Sequence, residues 1–353
     1  MLGQLWILDA TEPATLSTIG TYWHGAASAR EVRTVGNYLY LRLDWLPSAE
    51  VDRGQRVNVV DVTDPARPRP LGFVAEPAFV TALAVNGATG YAVTEDGETR
   101  FHVLDLADPA RPRPAGSVIL GGARRGGHAI AVDGRHAYAI GTESAPPDGG
   151  NVAVLQVIDV GDARQPRVVG RLETPGGFST AGSPSISASG GLVVFPVVAG
   201  ELLVVDARQP RSPALAATIV LGEERDAVAV LAWADTAAVA GYPGGVHLFD
   251  LRDPAAPRQL SVIGTDPAGD RPLGLAHEGH VLYVSGRGGV STYDVSDPGS
   301  PALVGRFTGP AYVPDSEITF DSMAVDGDLL YARYGTTRVA SPGVAVLRVG
   351  ARR

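Results

Sequence analysis

VNVVDVTDPARPRP, residues 57–70, begins as an apolar, strand-like run, turns polar at Asp61 and ends in a proline-rich turn. Proline fixes φ and pushes the residue before it into extended geometry. An aspartate side chain accepts hydrogen bonds from backbone N–H groups two residues further on. The segment therefore predicts a strand, an Asp-Pro turn and a second strand. Asp61 is then a structural residue rather than a catalytic carboxylate or a metal ligand.

The same pattern recurs along the chain, with aspartates that are 44 to 54 residues apart: Asp9, Asp61, Asp105, Asp159, Asp206, Asp250 and Asp294. This period lies near the roughly 40–50 residues of a four-stranded propeller blade. A second element falls between the copies, as in LAVNGATGYAV (83–93) and IAVDGRHAYAI (130–140). Its Asn-Gly or Asp-Gly pair is typical of a two-residue hairpin turn. Each unit thus predicts a hairpin, an Asp-ended strand, a turn and an outer strand.

The predicted fold is all-β: a single domain over residues 1–353 that forms a seven-bladed β-propeller of four-stranded antiparallel blades. We expect the ring to be closed by pairing of the N- and C-terminal strands. One strand is in excess in this scheme, because LWILDA (5–10) and VAVLRV (344–349) both have the pattern of a third strand.

The repeat resembles the LVIVD family, through the pattern hydrophobic-Asp-x-x-Asp-Pro-x-x-Pro. The pattern is clearest at residues 61–68, 105–112, 250–257 and 294–301. Individual copies depart from it at Glu12, Leu16, Ala163 and Gln209. The resemblance covers nearly the whole chain and implies a β-propeller, but it implies no particular activity.

Composition excludes several classes of function. The net charge is −9 and the pI is about 5.3, so a basic footprint for nucleic acid is absent. There is no Cys, and all 29 basic residues are Arg. Disulfides, thiol nucleophiles, cysteine metal sites and Schiff-base lysines are therefore excluded. Exclusive use of Arg is typical of a GC-rich, bacterial genome.

No run approaches the ~18 consecutive apolar residues that would span a bilayer. The N-terminal MLGQLWILDA has neither a basic region nor a cleavage site. The sequence as it stands predicts a cytoplasmic protein, and a secreted one if a leader was removed; the compartment stays open, as does the oligomeric state.

Function is expected at one edge of the blades. Hairpin turns and Asp-Pro turns share one edge, whereas long and irregular loops share the other, at the mouth of the expected channel. Aligning the hairpins gives one equivalent position per blade, where each first strand begins: Arg30, Thr81, His128, Pro184, Ala229, Leu273 and Asp321.

Three of these residues, His128, Arg30 and Asp321, are the candidate catalytic residues. His128 could act as a general base near neutral pH, although a histidine at a strand start is more often structural. Arginines could hold a carboxylate or phosphate, and aromatic rings could stack on a sugar or planar ligand. The candidate ligand-binding residues are Tyr22, Trp23, His24, Glu31, Trp45, Arg124, Arg125, Arg225, Arg271 and Tyr312.

No metal or cofactor is predicted. HEGH (277–280) has the wrong spacing for a zinc-binding HExxH helix. Calcium could be held by PDSE (314–317) or TEDGE (94–98), but neither matches an EF-hand loop.

The sequence therefore predicts a ligand-binding propeller that holds a small molecule or glycan, with an anionic one favoured by the arginines. One alternative is an enzyme, a lyase, hydrolase or cyclase, that uses His128 with Arg or Tyr partners at the same site. A second alternative is a protein-interaction scaffold that uses the outer surface or the Asp-Pro edge.

Overall fold

The structure is a computed structural model, and it describes residues 3–9, 17–25, 28–44, 56–77, 79–121, 128–145, 150–175, 177–178, 185–197, 200–221, 226–242, 245–264, 272–286, 289–307, 318–327, 329–336 and 343–348. Within these ranges all regular structure is β. The chain divides into two compact units: unit 1 comprises 1–75 and 266–353, and unit 2 comprises 76–265.

Unit 2 contains four sheets, each of four consecutive antiparallel strands, which have the form of β-propeller blades. The first two blades are β7 (Val80–Asn86), β8 (Thr89–Asp96), β9 (Glu98–Asp105) and β10 (Arg113–Ile119), then β11 (Ala129–Asp133), β12 (His136–Ala145), β13 (Gly150–Asp159) and β14 (Arg167–Pro175). The next two are β15 (Ser187–Ser189), β16 (Leu192–Pro196), β17 (Glu201–Asp206) and β18 (Ala214–Val220), then β19 (Asp226–Trp233), β20 (Thr236–Tyr242), β21 (Gly245–Asp250) and β22 (Arg258–Ile263).

Unit 1 contains two further blades of the same kind. They are β3 (Ser28–Val35), β4 (Tyr38–Asp44), β5 (Arg56–Asp61) and β6 (Arg69–Phe73), and β23 (Pro272–Glu278), β24 (Val281–Gly286), β25 (Gly289–Asp294) and β26 (Ala302–Phe307). Its remaining strands are β1 (Gly3–Asp9), β2 (Ser17–Gly25), β27 (Ile318–Asp326), β28 (Leu329–Thr336) and β29 (Gly343–Arg348).

These remaining strands correct the predicted architecture. They form one five-stranded sheet in the order β2-β1-β29-β28-β27. Seven four-stranded antiparallel blades were expected, but the described residues form six. The expected closure of a ring, with terminal strands completing a regular blade, is also wrong. Strands β27 to β29 all come from the C-terminal segment, and β1 adds to β29 through a short parallel ladder, Trp6–Leu8 beside Ala345–Leu347.

Hydrophobic clusters join successive sheets within each unit. In unit 2, one buried cluster contains Tyr91 and Phe101 from one blade and Ala137 and Ile158 from the next. In unit 1, Tyr331 of β28 packs into the cluster of the β3–β6 blade. Strands in such a stack are covered on both faces, which explains why their sequences are apolar runs rather than alternating patterns.

The edge with the two kinds of turn, here called the turn edge, is built as the sequence predicts. In six repeats the strand-ending aspartate accepts the backbone N–H two residues on, at 2.9 to 3.0 Å: Asp61, Asp105, Asp159, Asp206, Asp250 and Asp294. The next aspartate of the turn also accepts the backbone N–H two residues on, in five repeats: Asp64, Asp108, Asp162, Asp253 and Asp297. These carboxylates hold the backbone of the turn, so their structural role is confirmed.

Neighbouring blades are also in close contact at the turn edge. A Cβ on Gly170 of β14 would lie 2.0 Å from the carbonyl oxygen of Pro210, in the turn of the next blade. Gly116 of β10 meets Ala163 of the following turn in the same way. The hairpin turns are linked as well, because Gly191 N–H donates to Asp133 Oδ2 at 2.7 Å.

Candidate functional site

The opposite edge of the blades, here called the strand-start edge, is marked by β-bulges. In five sheets the pairing of the first strand with the second strand passes over one residue near the start of the first strand. These bulge residues are Arg30, Thr81, Val228, Leu273 and Asp321. Bulges redirect side chains and are common beside active sites. Four of these are the residues that the aligned hairpins predict. The fifth is Val228, whereas the alignment of the hairpins gives Ala229. The hairpin turn of this blade begins one residue earlier than the alignment assumes, because Ala234 and not Asp235 has the positive φ.

His128 lies directly before β11 and is the centre of a polar cluster in unit 2. Its Nδ1 is 3.2 Å from Thr81 Oγ1 of the preceding blade. The same nitrogen is 3.2 Å from Glu95 Oε1, at the end of β8. The side chain of His128 is fully buried, whereas that of Glu95 is 33% exposed. Solvent therefore reaches this cluster through the Glu95 side chain, whose Oε1 is itself buried.

The neighbours of Nδ1 identify its protonation state. The Thr81 hydroxyl donates its hydrogen to the carbonyl oxygen of Val93, at 3.2 Å, so it accepts from the imidazole. An ionised carboxylate only accepts. Nδ1 therefore carries a hydrogen that it donates to Thr81, while Glu95 Oε1 is a charged neighbour at 3.2 Å, and in the neutral imidazole the basic lone pair is on Nε2.

Glu95 is the member of this cluster that the sequence reasoning missed. TEDGE (94–98) was considered only as a calcium loop. The loop in fact joins the second and third strands of a blade and is therefore on the strand-start edge. The sequence signal for Glu95 is that its loop shares this edge with the aligned position of the next blade, where a polar residue, His128, stands.

Unit 1 has its own polar cluster at the strand-start edge, around the predicted ligand residue Glu31. Arg42 Nε donates to Glu31 Oε1 at 3.1 Å, and Arg33 Nη2 donates to Oε2 at 3.4 Å. Arg30, next to Glu31, is exposed. Arg42 was not predicted, although an arginine in the otherwise apolar run YLYLRL (38–43) is the sequence signal for it.

The predicted catalytic group is divided between the units, with His128 in unit 2 and Arg30 and Asp321 in unit 1. Their grouping stays a prediction, and only the backbone of Asp321 is described. Tyr22, Trp23 and His24 are in strand β2, of which the structure describes only the backbone. Other predicted residues lie outside the described ranges altogether: Trp45, Arg124, Arg125, Pro184, Arg225, Arg271 and Tyr312.

The surroundings of three other described histidines indicate a structural role. Burial, and then the charge of Arg100, lowers the pKa of His102 to about 4. His102 Nε2 is 3.0 Å from Thr94 Oγ1. The buried His247 has Nδ1 3.3 Å from Gln259 Oε1. Burial, followed by the nearby His280, lowers the pKa of His277. Compared with His102 and His247, the other two of these in unit 2, His128 is thus distinguished by a carboxylate oxygen 3.2 Å from its ring.

Two features are absent from the described residues. No group of three or more His, Cys, Asp or Glu side chains is placed there to hold a metal ion. No helix there has the length and apolar character to cross a membrane. Exposed large apolar side chains occur on the fourth strands of blades, at most two to a strand: Leu71, Phe73, Ile119, Leu215, Val220, Val262, Leu303 and Val304.

Comparison with known proteins agrees with this architecture. The LVIVD repeat model matches residues 276–309, which cover most of the β23–β26 blade. No curated protein matches the chain by sequence.

Solved structures match over most of the chain. A protein from Bacteroides uniformis, provisionally assigned as a 6-phosphogluconolactonase, is 16% identical with a TM-score of 0.58, covering 85% of this chain and 92% of its own. The periplasmic gluconolactonase PpgL of Pseudomonas aeruginosa is 18% identical with a TM-score of 0.54, covering 89% and 97%. Sqt1 of Saccharomyces cerevisiae is 12% identical with a TM-score of 0.57, covering 100% and 97%. At these identities the likeness concerns the fold alone.

Proposed function

We propose that this LVIVD-repeat β-propeller protein binds a small polar molecule at the strand-start edge. Glu95 makes the central contact in unit 2, and its carboxylate lies against His128, which Thr81 in turn contacts. The observation that carries this proposal is the convergence of Glu95 and Thr81 on one buried nitrogen of His128, at 3.2 Å each.

The cost of this cluster supports a functional role. Taking a carboxylate and an imidazole out of water is unfavourable unless their partners are well placed. The turn edge needs its carboxylates to fix the backbone, but the Glu95 carboxylate contacts a side chain of another blade. A polar network that is buried at one end and open to solvent at the other is the form of a specificity element in a ligand site.

The chemistry of the exposed group indicates the class of ligand. A carboxylate accepts hydrogen bonds, so the ligand presents hydroxyl or other N–H and O–H donors to it. Two structurally similar proteins carry lactonase names, which favours a polyhydroxylated molecule such as a sugar or sugar acid.

The test is a titration of the whole chain with D-gluconate and with methyl β-D-glucopyranoside, followed by ligand-observed NMR. Glu95→Gln removes the charge of the central carboxylate and should raise the Kd about tenfold or more, since a hydrogen bond to a charged group contributes roughly 1.5–3 kcal/mol. Glu98→Gln is the matched control, because Glu98 is in the same loop, is 66% exposed and pairs with Arg100.

The control variant should bind as the wild-type chain does. Equal affinity of the wild-type and Glu95→Gln chains would contradict the assignment of Glu95. Absence of binding by the wild-type chain to both compounds would contradict the proposed ligand class.

Hydrolysis is the second candidate function, and the orientation of His128 favours it. A carboxylate on Nδ1 leaves Nε2 as the base, which is the arrangement that activates water or a hydroxyl group in many hydrolytic sites. The described partner is a carboxylate, not the Arg or Tyr expected from the sequence. Binding ranks first because the imidazole is fully buried.

Turnover of 1,5-lactones, measured by proton release, tests this candidate. General-base catalysis contributes typically 10²–10⁴-fold, so His128→Gln should lower kcat by about that factor. His247→Gln is the matched control, as His247 is also buried in unit 2 but contacts an amide. Unchanged kcat in His128→Gln would remove this residue from the mechanism. A lyase or cyclase activity would be tested with its own substrates and with the same two variants.

A further inference from the structure

Phe79 has an unfavourable backbone conformation for its residue type. Among the described residues, only Phe79 (φ 56°) and Ala234 (φ 45°) combine a side chain with a positive φ, and all other positive values belong to glycines. For an L-residue this region brings Cβ too close to the backbone oxygen. Glycine would adopt it without strain, so the aromatic ring at this position needs an explanation.

Packing of the protein core does not provide one. Phe79 is half-buried, and it belongs to none of the described hydrophobic clusters of unit 2, either as a buried member or as a residue packed against them. Phe101, in contrast, is fully buried in such a cluster and pairs with the Tyr91 ring at a centroid distance of 5.9 Å. No ring pair is described for Phe79.

The position of Phe79 points to the ligand site. The N–H of Glu95 donates to the carbonyl oxygen of Phe79 at 3.3 Å, so the backbone of Phe79 is bonded to the backbone of the residue that carries the cluster's carboxylate. Two residues later the chain makes the bulge at Thr81, whose hydroxyl contacts His128. Strained backbone, a bulge and a buried polar pair therefore coincide within one small region, which is typical of functional sites.

We propose that Phe79 is an aromatic platform for a ring-shaped polyhydroxylated ligand, a pyranose sugar. The apolar C–H face of the sugar ring stacks on the phenyl ring, and Glu95 accepts hydrogen bonds from hydroxyl groups at the ring edge. This pairing of an aromatic face with a carboxylate matches the two kinds of surface that a pyranose presents. The inference rests on the proposed function and adds the shape of the ligand to it.

Three variants of the full chain separate a ligand platform from a packing residue. Phe79→Gly removes the ring and the strain, Phe79→Ala removes the ring but keeps the strain, and Phe79→Tyr keeps the ring. The probes are methyl β-D-glucopyranoside and sorbitol, an open-chain polyol that has no ring face. Binding is measured by ligand-observed NMR, and stability is measured by the thermal midpoint.

We expect Phe79→Gly to bind methyl β-D-glucopyranoside at least fivefold more weakly than the wild-type chain, with a thermal midpoint that is unchanged or higher. Phe79→Ala should lose the same affinity and have a lower midpoint than Phe79→Gly. Phe79→Tyr should retain the affinity. Sorbitol should bind the wild-type chain and Phe79→Gly equally.

Two results would overturn the inference and leave the proposed function intact. One is a pyranoside affinity that depends on Glu95 but is the same within twofold in Phe79→Gly. The other is a fall of several degrees in the midpoint of Phe79→Gly, which would assign the ring to packing. If neither the pyranoside, sorbitol nor D-gluconate binds the wild-type chain, the proposed function fails and the inference fails with it.

Discussion

The two edges of the blades use carboxylates for different purposes. On the turn edge the aspartates repeat from blade to blade, and each binds backbone N–H groups of its own turn. On the strand-start edge Glu95 has no counterpart at the equivalent place in most repeats, and it binds a side chain of the next blade. In a repeat protein, the polar residue that breaks the repeat is therefore a better functional candidate than the one that defines it.

The largest effect is expected on the turn edge, from Gly170→Val. A Cβ at this position would meet the carbonyl oxygen of Pro210 at 2.0 Å, and backbone cannot move aside as a flexible side chain can. We expect a loss of about 3 kcal/mol or more in the free energy of unfolding, measured in urea. Gly264→Val is the control, since open space surrounds Gly264. A stable Gly170→Val chain would show that the blades do not depend on this contact.

Removing a repeat aspartate should have a smaller effect on stability and none on the ligand site. Asp61→Ala leaves the N–H of Thr63 without its acceptor and Arg69 without its partner. We expect a loss of roughly 1–2 kcal/mol, comparable with the loss of a helix cap. Glu95→Gln should show the reverse pattern, with little change in unfolding and a weakened ligand. If both variants changed both properties, the distinction between the edges would be wrong.

Acid should destabilise the turn edge through the same carboxylates. Hydrogen bonds from Thr63, and then from Arg69, lower the pKa of Asp61 from 3.8 to about 2. Arg252 likewise lowers the pKa of Asp250. A carboxyl whose folded pKa is lowered stabilises the fold above its unfolded pKa, and this contribution is lost as pH falls through the folded value. The thermal midpoint should therefore fall between about pH 4 and pH 2, less steeply in Asp61→Asn.

The smallest effect is expected for Ala234→Gly, at a hairpin turn on the turn edge. Ala234 has a φ of 45°, so glycine relieves strain but also increases the freedom of the unfolded chain. These effects nearly cancel, and we expect a change within about 0.5 kcal/mol. The variant gives a reference for Phe79→Gly, because both remove a side chain from a left-handed residue. A large loss of stability in Ala234→Gly would mean that strain relief is not what these substitutions measure.

The sequence predicts the turn edge well because its chemistry is local. Asp61, Pro65 and the hairpin glycines act on neighbours within a few residues, so their type and spacing are sufficient. The strand-start edge depends on contacts between blades. His128 is predictable from its alignment with Thr81, but its contact with Glu95 follows from how two blades pack, which spacing does not encode. The five-stranded sheet was not predicted either, because spacing along the chain does not specify that β1 adds to β29 by a parallel ladder.

That ladder has a consequence for how unit 1 folds. It joins Trp6, Ile7 and Leu8 to residues more than 300 positions later, through only three residue pairs. Bringing such distant segments together carries a large loop-closure cost, which contacts between adjacent strands do not have. We therefore expect the amides that bond across this ladder to gain protection from hydrogen exchange last during refolding and to lose it first under mild denaturation. A nascent chain can pair β1 with β2 at once, but the parallel ladder has to wait for β29.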